Sequence, residues 1–350
     1  MVLAIIVGSG YLITIKSKEI SKTKALSKKL NDDVDLYAKA LKFNGSILAV
    51  KNGNVMVSKA FGMANEEQKL PNTTKTKFMV GSITKQFTAL SIMQLQEKGL
   101  LNVNDKIDKY IPGFPHGKEI TIRQLLSHTS GLPRDTNEIK FDSIPSTFQE
   151  GLNMLKGKDI KLLCTPGEAY NYSNAGYLLL GYIVEKVSGE TYSAYLNKHI
   201  FKPLKMDNSG CGYNRKENTN LAVGYTIAFT ISVTPKDFYD LSLSGFSAGG
   251  IYSTVDDLYK WDRALYTEKL VTKKTLNEIY TPVKSNYGYG WFISKVSNKT
   301  TYYHTGSILG FHSEIIRQVD NDIFIVVLSN EANDSFDFLA QKLVQDYSNK

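Results

Sequence analysis

Two serines in this 350-residue chain stand in patterns that could make them nucleophiles. Gly245-Phe246-Ser247-Ala248-Gly249 matches G-x-S-x-G, the pattern of a hydrolase nucleophile elbow, and Gly81-Ser82-Ile83-Thr84-Lys85 carries a serine with a lysine three residues on. An elbow needs a buried strand before its serine and a helix directly after it. Before Ser247 stands DLSLSGF, polar and closed by a glycine; after it stands AGGIY, whose adjacent glycines are poor helix starters. The elbow pattern is therefore a decoy. Ser82, by contrast, opens a stretch that reads as a helix. Three residues are nearly one helical turn, so Ser82 and Lys85 face the same side, and the helix start favours negative charge developing near the serine. A serine alkoxide needs a proton acceptor, so Lys85 must be desolvated or set near other cations to reach its neutral form.

S-x-x-K alone is a common pattern, usually no more than a capped helix with a surface lysine. Two further motifs add chemistry to it. In YNYSNAG, Tyr172 and Asn174 lie two apart on a loop entering a helix, which lets a phenol and a carboxamide point into one site. A phenol of ordinary pKa about 10 acts as a base only beside a cation, which Lys85 can supply. In YYHTGSILGFHS, His304-Thr305-Gly306 ends a predicted strand. There the glycine permits close approach of a ligand, and the next amide, that of Ser307, is a candidate oxyanion donor.

The elements that must hold these residues are also legible. NGSILAVKNGNVMVSKAFG (44–62) reads as a β-hairpin turning at Asn52-Gly53. SITKQFTALSIMQLQEKG (82–99) reads as a helix closing on Gly99, apolar on most sides and so central to the fold. Residues 100–245 read as helices and loops, with TIRQLLSHTSG, NYSNAGYLLLGYIVEKVSG and TYSAYLNKHIF the clearest helical stretches or their entries. GWFISKV, TTYYHTG, FHSEIIRQV and DIFIVVLS then read as successive antiparallel strands, followed by a last helix at about 334–347. The predicted class is α+β, an antiparallel sheet flanked by helices with an inserted, mainly helical subdomain. The first and last parts are expected to share one sheet.

Composition bounds the rest. With 42% hydrophobic and 22% charged residues, wholesale disorder is excluded. Of the net charge of +8, residues 1–30 carry +5, from six lysines against Glu19, which leaves a near-neutral body. No basic stripe speaks for nucleic acid. Cys164 and Cys211 exclude a disulfide-rich scaffold and a cysteine zinc site, and their spacing leaves a single bridge open. His116, His199 and His312 show no metal-ligand spacing. MVLAIIVGSGYLITI is about the length of a signal h-region but lacks a positive n-region and a cleavage site. It reads as the remnant of an export signal or membrane anchor, a buried first strand or helix being the alternative. The expected division is an N-terminal segment, 1–30, and a catalytic body, 31–350. The α/β part of that body takes about 31–100 and 246–350, and its helical part about 101–245.

The order S-x-x-K, Y-x-N, [KH]-T-G resembles the penicillin-binding-protein and class C β-lactamase superfamily, from about Asn44 to the last helix. LLSHTSGLP (125–133), PGEAYNYSNAGY (166–177), SAGGIYSTVDDLYKW (247–261) and YGYGW (287–291) agree with habits of that family. The resemblance implies a β-lactamase/transpeptidase-like fold without cofactor or metal. It implies that Ser82 attacks an acyl carbon, that Lys85 and Tyr172 share proton transfer, and that Asn174 positions the substrate amide. It places the oxyanion between the amides of Ser82 and Ser307, turns His304, Thr305 and Gly306 toward the substrate, and puts Ser247 in a non-nucleophilic loop. His128 reads as a structural residue of its loop. One departure bears on substrate: class C β-lactamases typically carry lysine where this chain has His304, and histidine is mostly neutral at pH 7. Relatives with histidine there act as D,D-peptidases, D-amino-acid amidases or esterases, so the resemblance implies a cell-envelope hydrolase acting on D-alanyl peptide, amide or ester bonds, expected to be exported or membrane-anchored by its N-terminal segment. A β-lactamase, a promiscuous carboxylesterase and a catalytically silent penicillin-binding sensor are the alternatives.

Overall fold

The computed structural model describes residues 24–134, 159–212, 220–226, 246–308, 310–332 and 337–348. Its centre is a six-stranded antiparallel sheet. β1 (Gly45–Lys51) and β2 (Asn54–Phe61) form the predicted hairpin. Asn52 and Gly53 both take positive φ, 51° and 70°, as a two-residue turn between right-twisted strands requires. β3 (Phe292–Val296), β4 (Lys299–Ile308), β5 (Phe311–Gln318) and β6 (Ile323–Ser329) follow as a meander. The spatial order is β2-β1-β6-β5-β4-β3. Gly45 stands opposite Ser329, so the first and last parts of the chain share the sheet as the sequence predicts.

Period-two alternation gives this sheet two buried faces. Ile47 and Ala49 of β1 join an outer cluster, while Leu48 and Val50 join the larger inner core. With both faces covered, β6 has no polar face, and every residue from Ile323 to Ser329 is buried. The outer face is covered by α1 (24–40) through Leu30, Val34 and Ala38, and by α7 (Asp337–Ser348) through Leu339, Leu343 and Tyr347. In α1, apolar residues at 26, 30, 34 and 38 recur every fourth position and make one stripe, with the lysines turned away from it. The structured body therefore begins ahead of the boundary at residue 31, because Leu30 is already fully buried against the sheet. The apolar segment read as a signal or anchor lies outside the described residues, as do 135–158 and 227–245 of the helical part.

The inner core holds α2 (Thr84–Glu97), buried on every side from Thr84 to Leu95. The helix predicted over 82–99 is in fact a 3-10 turn, Gly81–Ile83, running into α2 and closing at Gly99 with φ of 69°. Polar side chains of α2 find partners within the core, although Gln86 Nε2 is left without one among the described residues. Thr88 donates to the Ser247 carbonyl at 2.6 Å, Ser91 to the Phe87 carbonyl at 2.8 Å, and Gln86 accepts from the Trp261 indole at 3.0 Å. α3 (Ile122–Leu126), α4 (Asn174–Ser188), α5 (Phe246–Gly249) and α6 (Val255–Ala264) lie on this side, together with helical residues 192–204 and Lys273–Ile279. α2 packs on α4 and α5, α6 on β1 and β6, and the 3-10 turn on β4 and β5. Among the described residues no helix is long and apolar enough to cross a membrane.

Candidate active site

Ser82 lies on the 3-10 turn at the head of α2, half-buried, with Lys85 one turn on and fully buried. The Lys85 ammonium donates to Ser82 Oγ at 3.0 Å, to Asn174 Oδ1 at 2.8 Å and to the Ala248 carbonyl at 2.8 Å. An ammonium has three protons, and here each has an acceptor. Sequence spacing brings serine and lysine together; the fold adds the carboxamide and the carbonyl.

Two glycines set the distance between this turn and β4. Gly81 has φ of +50°, and a Cβ placed on it would stand 2.9 Å from the Ser307 amide nitrogen. A Cβ on Gly306 would stand 2.1 Å from the Val80 carbonyl oxygen and 3.1 Å from the Ser82 nitrogen. Backbone therefore meets backbone here, and the Ser307 amide lies against the turn that carries Ser82. β3 stops pairing at Phe292 opposite Tyr303, so the stretch from His304 to Ile308 leaves its outer edge toward the turn. The backbone nitrogens of Ser82 and Ser307 are thereby brought into one neighbourhood at this edge.

Tyr172 and Asn174 enter from the other side. Ser173, between them, caps α4: its hydroxyl accepts from Gly176 N at 3.0 Å and donates to the Pro133 carbonyl at 2.7 Å. The Tyr172 ring lies 4.9 Å from the Lys85 ammonium and 5.2 Å from the Arg134 guanidinium, both within cation–π range. It also stacks, tilted by 33°, on the His128 imidazole at 4.1 Å between centroids. His128 is wholly buried; burial, with the charge of Lys85 second, holds its pKa well below the ordinary value.

His304 is buried too, at 1% exposure. Burial first and the Lys85 charge second push its pKa down to about 3, so the ring is neutral. Its contacts fit one tautomer. Nδ1–H donates to the Thr305 carbonyl at 2.6 Å, which leaves Nε2 to accept from the Tyr287 hydroxyl at 3.1 Å. Thr305 is half-buried beside it and Ser307 is exposed. All the residues singled out in the sequence thus converge on one region. A neutral His304 already satisfied by Tyr287 is no standing cation for a substrate carboxylate.

Ser247 is the exception by design of the packing. It sits in α5, fully buried, and donates to the Tyr177 carbonyl at 2.9 Å. The neighbouring residue of the same pentapeptide does reach the site, because the Ala248 carbonyl is one of the three acceptors of Lys85. Sequence reasoning missed that role, since a backbone oxygen leaves no signature in residue type. It also missed Tyr287, the hydroxyl partner of His304, although YGYGW marks its position. Among the described residues no group of three or more His, Cys, Asp or Glu could hold a metal. Cys164 and Cys211 are free thiols, the first accepting from Asn171 Nδ2 at 3.1 Å, the second pushed up to about 12 by burial.

Comparison with known proteins identifies the family. The Beta-lactamase family profile matches residues 36–347. Penicillin-binding protein 4* of Bacillus subtilis (strain 168) is 32% identical over 84% of this chain and 69% of its own length. The solved structure of the octameric penicillin-binding protein homologue from Pyrococcus abyssi is 30% identical, superposes with a TM-score of 0.80, and covers 92% of this chain and 77% of that one. D-amino acid amidase from Ochrobactrum anthropi SV3, solved with L-phenylalanine, is 25% identical with a TM-score of 0.73, over 93% of this chain and 96% of that one.

Proposed function

The chain belongs to the Beta-lactamase family, and from that premise we propose that it is a serine hydrolase that forms an acyl-enzyme on Ser82 and cleaves D-alanyl amide or ester bonds. One observation carries the reading: a buried Lys85 within hydrogen-bond distance of both Ser82 Oγ and Asn174 Oδ1, at 3.0 and 2.8 Å. Ser82 Oγ attacks the acyl carbon, and its proton passes to the Lys85–Tyr172 pair. The carbonyl oxygen becomes an oxyanion between the amides of Ser82 and Ser307. Collapse of this intermediate breaks the bond to the amine or alcohol, which leaves with a proton returned by the same pair. Water then releases the acid from Ser82. A fully partnered Lys85 ammonium at 4.9 Å from the Tyr172 ring lowers the energy of a phenolate, so the base is a property of the pair.

The substrate assignment rests on His304. A neutral, buried imidazole gives a β-lactam carboxylate no permanent positive partner on β4, which favours D-alanyl substrates over dedicated β-lactamase action. The D-stereospecific sense is supported by the similar D-amino acid amidase. The reading includes a place at the cell envelope, which the apolar, then lysine-rich, residues 1–30 support.

Intact-mass spectrometry of the protein mixed with benzylpenicillin, beside a Ser82→Ala protein, tests the reading. The expected result is a lasting adduct that Ser82→Ala lacks, together with slow release of D-alanine from D-alanyl esters. Rapid loss of penicillin without an adduct would move the assignment to a β-lactamase. Full activity in Ser82→Ala would refute the site.

A further inference from the structure

We propose that His128 is the positioning residue for Tyr172, holding the phenol in register with Lys85; the proposal rests on the reading of Tyr172 as part of the proton-transfer pair. Three contacts from one residue grip three consecutive residues of the loop. The His128 carbonyl accepts from Asn171 N at 2.7 Å. The ring stacks on Tyr172 at 4.1 Å. His128 Nδ1 accepts from Ser173 N–H at 3.0 Å, across 45 residues of sequence. Because Nδ1 accepts, the imidazole proton sits on Nε2, which meets no hydrogen-bond partner among the described residues. The imidazole centroid lies 4.9 and 4.7 Å from those of the Tyr177 and Tyr287 rings.

His128 has φ of 55°, a left-handed conformation in which histidine, like asparagine and aspartate, is enriched among non-glycine residues. What the imidazole adds there is an acceptor for Ser173 and a flat surface for Tyr172. The Tyr172 ring also meets Lys85 and Arg134, while the loops beneath are joined by backbone: Thr129 O accepts from Gly167 N at 2.7 Å and Gly131 O from Leu163 N at 2.8 Å. Those bonds fix where the two loops run; His128 fixes where the Tyr172 ring stands.

The test uses His128→Gly, which relaxes the backbone and removes ring and acceptor, and His128→Asn, which keeps a tolerant backbone and an acceptor but no ring. Acylation of Ser82 by benzylpenicillin is followed by intact mass from pH 6 to 10. His128→Gly is expected to lower the limiting acylation rate about 100-fold, the effect of an ångström-scale displacement of a catalytic group, with half-saturation changed little and the pH profile displaced. His128→Asn should recover about tenfold of that loss. In a Tyr172→Phe background, His128→Gly should add less than about twofold, because non-additivity marks residues acting as one unit. A folded His128→Gly protein acylating within threefold of the parent, or one with an undiminished penalty in Tyr172→Phe, overturns the proposal. A readout that needs no turnover separates this from the functional assignment. The 3-fluorotyrosine resonance of position 172, identified by its absence in Tyr172→Phe, should shift and broaden in His128→Gly. If it does not move, His128 does not position Tyr172; if the parent forms no adduct and releases no D-alanine, it is the proposed function that falls.

Discussion

Ser82 and Lys85 stand three residues apart on one continuous turn, whereas Tyr172 and Asn174 take their places from a loop 45 residues earlier in the chain. The first half of the site is secured locally. Its helix is buried all round, its turn is fixed by Gly81, and its distance to β4 is fixed by the missing side chain of Gly306. The second half is secured at long range, by backbone amides given to His128 and by a ring laid on its imidazole. A local arrangement tolerates little change in backbone contact and none in its reacting groups. A long-range arrangement has several partners and loses precision by degrees. Damage to the first half should therefore abolish chemistry, and damage to the second should attenuate it.

The largest effect expected is that of Ser82→Ala, on the order of 10⁴-fold or more in acylation, as for removal of a nucleophile. A loss no greater than that of Tyr172→Phe would erase the contrast between the halves. Next comes Gly306→Ala. Its Cβ would fall 2.1 Å from the Val80 carbonyl, a fixed backbone atom, so β4 must withdraw from the turn. Separating the two oxyanion amides should lower acylation by about 10²–10³-fold, the usual worth of such a donor. The measurement is the adduct rate by intact mass, with circular dichroism to confirm folding. Acylation close to the parent's would mean that the Ser307 amide is no oxyanion donor.

A thermodynamic prediction sharpens the comparison further. His304 and His128 are both neutral when folded, the first with pKa about 3 and the second held well below its ordinary value, while an unfolded histidine takes a proton below about 6.5. Falling pH therefore favours the unfolded chain. For His304 the stability present above about pH 6.5 is lost toward pH 3 at about 1.4 kcal/mol per pH unit, and His128 adds a loss of the same sign. Thermal melts between pH 6.5 and 4 should show this fall, and His128→Asn should make it shallower. If the slope of the variant matches the parent's, the imidazole of His128 is not neutral in the fold.

The same contrast explains what could be read from residue order. The hairpin at Asn52-Gly53, the helix closed by Gly99 and the pairing Ser82–Lys85 are local consequences of residue type, and all stand where spacing put them. The alternating strands were legible because β3 to β6 follow one another without interruption. The fold-dependent part was not. That Lys85 would find the Ala248 carbonyl, 163 residues away, depends on a backbone atom that any residue type could supply. His128 looked like a loop residue because its left-handed backbone and its grip on Ser173 exist only once two distant loops meet. The start of the body was misplaced for a related reason. Lysines dominate residues 16–29 by count, but the stripe of Leu26, Leu30 and Val34 buries α1 on the sheet.

Ser247 gives the smallest expected effect and the sharpest check on the decoy. Its hydroxyl donates to the Tyr177 carbonyl at 2.9 Å, in the interior, far from the role of a nucleophile. What matters to the site in that stretch is backbone: the Ser247 carbonyl accepts from Thr88 and the Ala248 carbonyl from Lys85, at 2.6 and 2.8 Å. Ser247→Ala keeps both oxygens and removes only the hydroxyl. The loss should be about 1 kcal/mol, the net worth of one hydrogen bond, seen as a drop in Tm of about 1–2 °C for a chain of this length. Acylation should stay within about threefold of the parent's. A variant that melts as expected but no longer acylates would place the hydroxyl in the reaction and give the G-x-S-x-G pattern its ordinary meaning. A variant that melts and acylates as expected confines the chemistry to Ser82, and leaves α5 the task of carrying the carbonyl that holds Lys85 in place.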